Sequence, residues 1–292
     1  MTTQPLSIAY VTDKGLFLPT LRSAHSALSE TRAPLRLLFL GDALDQPMWT
    51  AVDRLARQYP ESTVKKIEIP PAWLKGAATP KDFITRTALG RMFLPRVTGG
   101  RVLYIDGDTL VAGDVTQAAQ LDMHNMPLAG VRDFAVMSWI GLNKRASLNQ
   151  QSKVLGGRED LHGYINSGVL LMDCDAIRAR PGLMDAMEDM AAAQGYPTVD
   201  QDRINVVFQD DMSWLDPAWN CSWGRLSLQR RLQKGLPSSP ALADPVVLHF
   251  HGPHKPWHPL RLSGLKKGAA SIWRYRRHMA EFRKQFPDLP TS

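Results

Sequence analysis

At 292 residues with 44% hydrophobic content, the chain is long enough to bury one large core and too apolar for disorder outside its ends. Two cysteines far apart in sequence, Cys174 and Cys221, exclude a disulfide framework and a thiolate metal site, and no apolar run approaches the roughly 18 residues that span a bilayer. The net charge of +7 is lopsided: from Arg261 to Ser292 eight Lys and Arg face only Glu281 and Asp288, a local excess of six, so an anionic partner is expected at that end rather than over the whole surface.

The N-terminus, Met1 to Pro5, is polar and runs into a strand without the charged-then-apolar order of a signal peptide, so the expected compartment is a reducing cytoplasm. Ser7 to Thr12 is a short run of strand formers ended by Asp13-Lys14-Gly15, and Leu18 to Leu28 follows with helical spacing. Leu35 to Leu40 repeats the strand signal and stops at Gly41-Asp42. Gln46 to Tyr59 is a second helix, and Val64 to Ile69 a third strand closed by Pro70-Pro71. Strands and helices alternating at this rhythm predict an α/β fold with a mostly parallel sheet covered on both faces. Ligands of such sheets bind beyond the carboxyl ends of the strands.

Thr85 to Leu94 reads as a helix carrying Arg91, whose default is a solvated side chain. Val102 to Val111 is an apolar run of buried-strand type, yet it carries Asp106 and Asp108 at the carboxyl end of its apolar part. Side chains two apart on an extended chain project together, and Gly107 leaves the backbone room for a large group to approach. Two like charges so close call for a cation, and hard oxygen ligands suit Mg2+ or Mn2+. An ordinary Asp-Gly turn is the alternative.

Phe134 to Tyr164 is polar and irregular, which reads as a substrate-facing loop or a plain surface loop. Tyr164 to Asp173 is a buried strand with a polar entrance, and Pro181 to Ala193 is helical. Asp200-Gln201-Asp202 opens a further segment; a helix N-cap accounts for one of its carboxylates but not for the amide between them. Val246 to His251 is a late strand on which His249 and His251 share a face, and Lys255 follows in the turn Gly252-Pro253-His254-Lys255-Pro256-Trp257.

Taken in order, Leu103-Tyr104-Ile105-Asp106-Gly107-Asp108, Asn166-Ser167-Gly168-Val169-Leu170-Leu171-Met172, Asp200-Gln201-Asp202-Arg203-Ile204-Asn205 and His249-Phe250-His251-Gly252-Pro253-His254-Lys255-Pro256-Trp257 resemble glycosyltransferase family 8. This is the retaining, nucleotide-sugar-dependent family that includes glycogenin and bacterial lipopolysaccharide glucosyl- and galactosyltransferases. The resemblance runs from Ile8 to about Trp257. It implies a single Rossmann-like nucleotide-sugar-binding domain of GT-A type over residues 1–260, with a mixed, mostly parallel sheet, followed by a basic C-terminal helical tail over 261–292.

It further implies that Asp106, Asp108 and His249 hold Mn2+, or Mg2+, bridging the diphosphate of a UDP-sugar, with Lys255 on the same phosphates. Gly107 and Gly252 fall among the donor-binding positions. Asn166 and Asp200 match positions that hydrogen-bond the donor sugar, Gln201 matches the residue facing the anomeric carbon, and Arg91 matches the arginine before the metal strand. Asp133 fits a further sugar contact, and Thr12 and Asp13 fall where the family binds uridine. The chain departs from many members in having Leu16 and Phe17 where a tyrosine stacks on the uracil. Spacing leaves His251 open as an alternative ligand to His249.

The expected reaction is a retaining transfer of glucose or galactose to a hydroxyl of a glycan or glycolipid acceptor, with no protein nucleophile standing out beyond the Asp200-Gln201-Asp202 cluster. A sugar-phosphate nucleotidyltransferase is the rival enzyme reading. Nucleic-acid binding leaves the Asp-Gly-Asp stretch without a role, and no nucleic-acid partner is expected. Neither a Gly-x-Gly-x-x-Gly fingerprint nor a P-loop is present. In the tail, Ile272, Tyr275, Met279, Phe282 and Phe286 line one helical stripe. Two readings of it are open: docking on the catalytic domain, or peripheral binding to anionic lipid at the inner face of the plasma membrane.

Overall fold

A computed structural model describes residues 5–77, 86–193, 195–259 and 262–289. Its continuous apolar runs are strands whose alternate side chains are shared between two cores. β1 (Leu6–Asp13) gives Ile8 and Tyr10 to one face and Ala9 and Val11 to the other. After α1 (Phe17–Glu30), β2 (Leu35–Asp42) divides Leu37 and Phe39 from Leu38 and Leu40 in the same way. α2 (Gln46–Gln58) starts where Asp45 accepts from the Met48 N–H, and leads to β3 (Thr63–Glu68).

The helix expected from Thr85 begins outside the described residues; within them Arg86–Phe93 is a 3-10 helix continued by α3 (Leu94–Val97). Then come β4 (Arg101–Ile105), β5 (Thr109–Val111), β6 (Leu128–Arg132), α4 (Phe134–Gly141), α5 (Arg145–Val154) and β7 (Ile165–Asp173). α6 (Cys174–Ala179), α7 (Leu183–Glu188), α8 (Met190–Ala193) and α9 (Asp200–Val207) precede β8 (Met212–Trp214) and β9 (Cys221–Ser222). α10 (Leu226–Leu232), β10 (Val247–His249) and α11 (Leu262–Gln285) complete the described order.

Among the described residues, the main sheet runs β3-β2-β1-β4-β7-β6-β8, with β7 antiparallel to both β4 and β6 and the other pairings parallel. A small sheet, β5-β10-β9, stands beside it. This is the mixed, mostly parallel α/β architecture expected.

Four readings of the sequence change. Val102 to Val111 is two strands in two sheets. The Asp106 N–H still donates to Gly168 O of β7 at 2.8 Å, but the Asp108 carbonyl accepts from Phe250 N at 3.0 Å, next to β10. The two aspartates therefore sit on a turn between sheets rather than on one extended strand. Phe134 to Tyr164 contains two helices; α5 buries none of its residues, so its sequence carries no apolar period to read. Pro181 to Ala193 is broken into α7 and α8. The late strand stops at His249, leaving His251 beyond it.

α1 is buried on nearly all sides. Towards β5, Ser23 Oγ lies 2.6 Å from Thr109 Oγ1, and Ser26 Oγ accepts from the Val111 N–H at 2.9 Å. Towards the tail, α11 lays its whole stripe, Ile272, Tyr275, Met279, Phe282 and Phe286, into the same core as β1 and α1. The docking alternative describes this helix, and its apolar stripe is not available to a bilayer. Arg276, Arg277, Arg283 and Lys284 are exposed on its outer side. No helix among the described residues is long and apolar enough to cross a membrane.

The contact between α1 and α11 includes a buried imidazole pair, with His25 Nδ1 3.0 Å from His278 Nε2 and His25 Nε2 2.8 Å from Gln285 Oε1. Burial, and then the neighbouring His25, push His278 down to about 4; burial lowers His25 as well, opposed by Gln285 and Glu281. Histidine in the unfolded chain titrates near 6.5. The pair's contribution is therefore complete above that pH and is lost as pH falls from about 6.5 toward 4, by up to about 3 kcal/mol from His278. Unfolding midpoints measured between pH 7 and 4 are expected to fall along this course, and to fall less steeply in His278→Gln.

Candidate active site

The turn between β4 and β5 lies at the carboxyl edge of the main sheet, where parallel strands leave a crevice. Its tightness comes from glycine: a Cβ on Gly107 would fall 2.0 Å from Thr20 Oγ1 and 3.2 Å from Thr20 Cα on α1. Gly168 on β7 plays the same part for the histidine opposite, since a Cβ there would lie 2.3 Å from His249 Cε1. Between these two close approaches Asp106, Asp108 and His249 converge, each offering a ligand atom within 4.8 Å of the others.

The two carboxylates have different surroundings. Asp106 accepts from Arg91 Nη2 at 2.9 Å and from the Tyr104 hydroxyl at 2.5 Å. Burial raises its pKa, with Arg91 opposing and Asp108 adding to the rise. Asp108 accepts from Lys255 Nζ at 2.5 Å, and its other oxygen lies 3.2 Å from His249 Nε2. Although burial works against it, these two neighbours hold Asp108 well below the usual carboxylate range. Two hard carboxylates and one imidazole nitrogen, open to positive charge from Lys255, are a donor set that fits Mn2+ or Mg2+. His251 turns elsewhere, with Nε2 2.7 Å from Ser222 Oγ.

Arg91 is not the solvated side chain its helix suggests. It is 3% exposed, donates to Ser167 O at 2.7 Å, pairs with Asp200 at 3.3 Å and stacks over Tyr104 at 4.4 Å. One guanidinium thus ties Asp106 to Asp200. Asp200 is the first residue of α9 and also accepts from Ser167 Oγ at 2.8 Å. The cap-like bond is made instead by Asp202, which accepts from the Thr198 N–H.

Gln201 joins the amide network. Its Oε1 accepts from Asn166 Nδ2 at 2.9 Å and from the Ser167 N–H at 3.3 Å, while its Nε2 donates to Tyr164 Oη at 3.2 Å and to Asp133 Oδ2 at 3.4 Å. Asp133 caps α4 with its other oxygen. Thr12 and Asp13 end β1 at the same edge; Thr12 is buried and accepts from Thr20, and Asp13 closes the turn by accepting from the Leu16 N–H. Phe17 is buried against Phe39, with ring centres 6.2 Å apart, so it offers no face to a base. Gly252 has φ 90° and open space around its Cβ position.

The structure brings Arg91, Asp106, Asp108, Asn166, Asp200, Gln201, His249 and Lys255 into one connected cluster. Sequence reasoning missed Tyr104, Ser167 and Asn220. Tyr104 was within reach, being two residues before Asp106. Asn220 was not: its Oδ1 lies 2.9 Å from His249 Nδ1 and its Nδ2 donates to Asn166 at 2.8 Å, across separations of 29 and 54 residues.

The model of glycosyl transferase family 8 matches residues 7–260. Lipopolysaccharide 1,3-galactosyltransferase of Salmonella typhimurium is 24% identical over 258 residues, covering 86% of this chain and 73% of its own. General stress protein A of Bacillus subtilis is 25% identical over 199 residues, with 63% of this chain matched to 65% of that one. Galactosyltransferase LgtC, solved with donor and acceptor sugar analogues, superposes with a TM-score of 0.72 at 19% identity over 96% of this chain and 100% of its own. The bifunctional glycosyltransferase WbbM gives 0.70 at 15% identity over 98% of this chain, which spans 52% of that longer chain. The match to the family runs through every strand that carries a side chain of the cluster, and the chain belongs to glycosyltransferase family 8.

Proposed function

We propose that this glycosyltransferase moves a hexose, glucose or galactose, from a UDP-sugar to a hydroxyl of a cell-envelope glycan such as a lipopolysaccharide, with retention at the anomeric carbon. The observation that carries the reading is the convergence of Asp106, Asp108 and His249 at the sheet edge, with Lys255 beside them. These three residues would hold Mn2+ or Mg2+, which when bound supplies Lewis-acid assistance to departure of the nucleoside diphosphate. Lys255 supplies a second positive charge to the same phosphates from the turn after β10. Asn166, Asp200 and Gln201 orient the donor sugar, and Thr12 and Asp13 lie on the side assigned to the base.

Among the described residues around Gln201, the carboxylates are already engaged: Asp200 by Arg91 and Ser167, Asp133 by the cap of α4 and two amides, Asp202 by Tyr164 and Thr198. That favours a transfer without a protein nucleophile. The bond from the anomeric carbon to the diphosphate oxygen breaks, the acceptor oxygen bonds to that carbon from the same face, and the acceptor's proton passes to the departing phosphate oxygen. The exposed basic side of α11 suits an acceptor carried on an anionic surface.

A panel of UDP-, GDP- and ADP-sugars, assayed with Mn2+, is expected to yield nucleoside diphosphate from UDP-glucose or UDP-galactose. Release of pyrophosphate instead would make the chain a nucleotidyltransferase. A glycosyl group found covalently on Asp200 or Gln201 by mass spectrometry would replace the direct transfer with a two-step one.

A further inference from the structure

We infer that Asn220 is a positioning residue that selects which nitrogen of His249 faces the metal site, and that it links that choice to the amide pair holding the donor sugar. The inference rests on the metal reading above. It starts from a group whose hydrogen is not in question, the backbone N–H of Gly168, which donates to Asn166 Oδ1 at 3.0 Å. The oxygen of the Asn166 amide therefore points that way, and its NH2 faces Asp133 Oδ2 at 3.0 Å and Gln201 Oε1 at 2.9 Å. The Gln201 amide is fixed in turn by the Ser167 N–H.

Asn220 approaches the same Asn166 Oδ1 at 2.8 Å, so the group it presents there is its NH2. Its oxygen is then left for His249 Nδ1 at 2.9 Å, and an oxygen accepts only from an N–H. The proton of a neutral His249 ring is placed on Nδ1, and Nε2, aimed at Asp108, keeps its lone pair for a cation.

The fold holds Asn220 where this works. It is 4% exposed and ends the 3-10 turn Pro217–Asn220, which is capped by Asp216; its own carbonyl accepts from Gln229 Nε2 at 3.1 Å. The chain then enters β9, whose Ser222 stands in register with His249 of β10. The amide cannot turn over, because a reversed Asn220 would set its oxygen against Asn166 Oδ1, whose orientation the Gly168 N–H fixes.

The test uses Mn2+ binding, read from the paramagnetic resonance of the free ion, beside donor kinetics, in the unaltered chain, Asn220→Leu and Asn220→Asp. Asn220→Leu removes both bonds and is expected to weaken Mn2+ binding 10- to 100-fold. Asn220→Asp keeps an acceptor for Nδ1–H but faces Asn166 with an oxygen; it is expected to bind Mn2+ close to the unaltered chain while its KM for the donor rises. Two-bond proton–nitrogen spectra of the His249 ring in the unaltered chain, with Zn2+ as a diamagnetic probe, are expected to show hydrogen on Nδ1 and none on Nε2. A hydrogen on Nε2, or equal Mn2+ binding by the unaltered chain and Asn220→Leu, would overturn the inference alone. No Mn2+ binding by the unaltered chain would overturn the metal reading and this inference with it.

Discussion

Asp108→Asn is expected to lower transfer by roughly 10³-fold and to remove most of the Mn2+ affinity. The substitution keeps the shape of the side chain and the bond from Phe250 N–H to the Asp108 carbonyl, so the turn between β4 and β5 stays closed. What it removes is charge. Asp108 is the carboxylate held well below the usual range by its neighbours, with Lys255 on one of its oxygens and His249 beside the other. An amide in its place gives a cation one neutral oxygen, and leaves the Lys255 ammonium without its counter-charge. Binding measured with Mn2+, and nucleoside diphosphate release measured from the preferred donor, check the two halves separately. A variant that kept both would leave the acidic turn without the role proposed for it.

The second large effect is on stability. Arg91→Met is expected to destabilise the fold by about 3–5 kcal/mol, because it strips the shared partner from two carboxylates that have little access to water. Asp106 and Asp200 reach Arg91 at 2.9 and 3.3 Å, and the Ser167 carbonyl takes a third of its hydrogen bonds. Arg91→Lys keeps a charge but has no planar fork with which to meet two carboxylates and a carbonyl at once, so an intermediate loss is expected. Denaturant unfolding of the three proteins measures this directly. Equal midpoints for all three would mean that the guanidinium does not hold the two aspartates together.

The frame of the fold was legible because it follows local rules. Ser7 to Thr12, Leu35 to Leu40 and Tyr164 to Asp173 announce themselves as strands, since a sheet covered on both faces needs apolar side chains at successive positions. β5, β8 and β9 did not, being three, three and two residues long, shorter than any period can register. The site was legible where its residues share a motif, as Asp106 and Asp108 do. Their convergence comes from a turn between two sheets rather than from one extended strand. Arg91 looked solvated because burial of a charge depends on partners far off in the chain, here Asp200. Asn220 was invisible for the same reason. The apolar stripe of the tail was readable, but its destination was not, because a bilayer and a protein core ask for the same side chains.

The match to the family ends at residue 260, yet the hydrophobic core continues past it into α11. α1 is clasped between that last helix and the acidic turn, with His25 and Arg22 on one flank and Thr20, packed against Gly107, on the other. Trimming the chain at the family boundary would take away the backstop of the helix that the acidic turn leans on. The terminal segment is part of the frame that keeps the aspartates in place, and a graft of this chemistry onto another scaffold would need to carry it along.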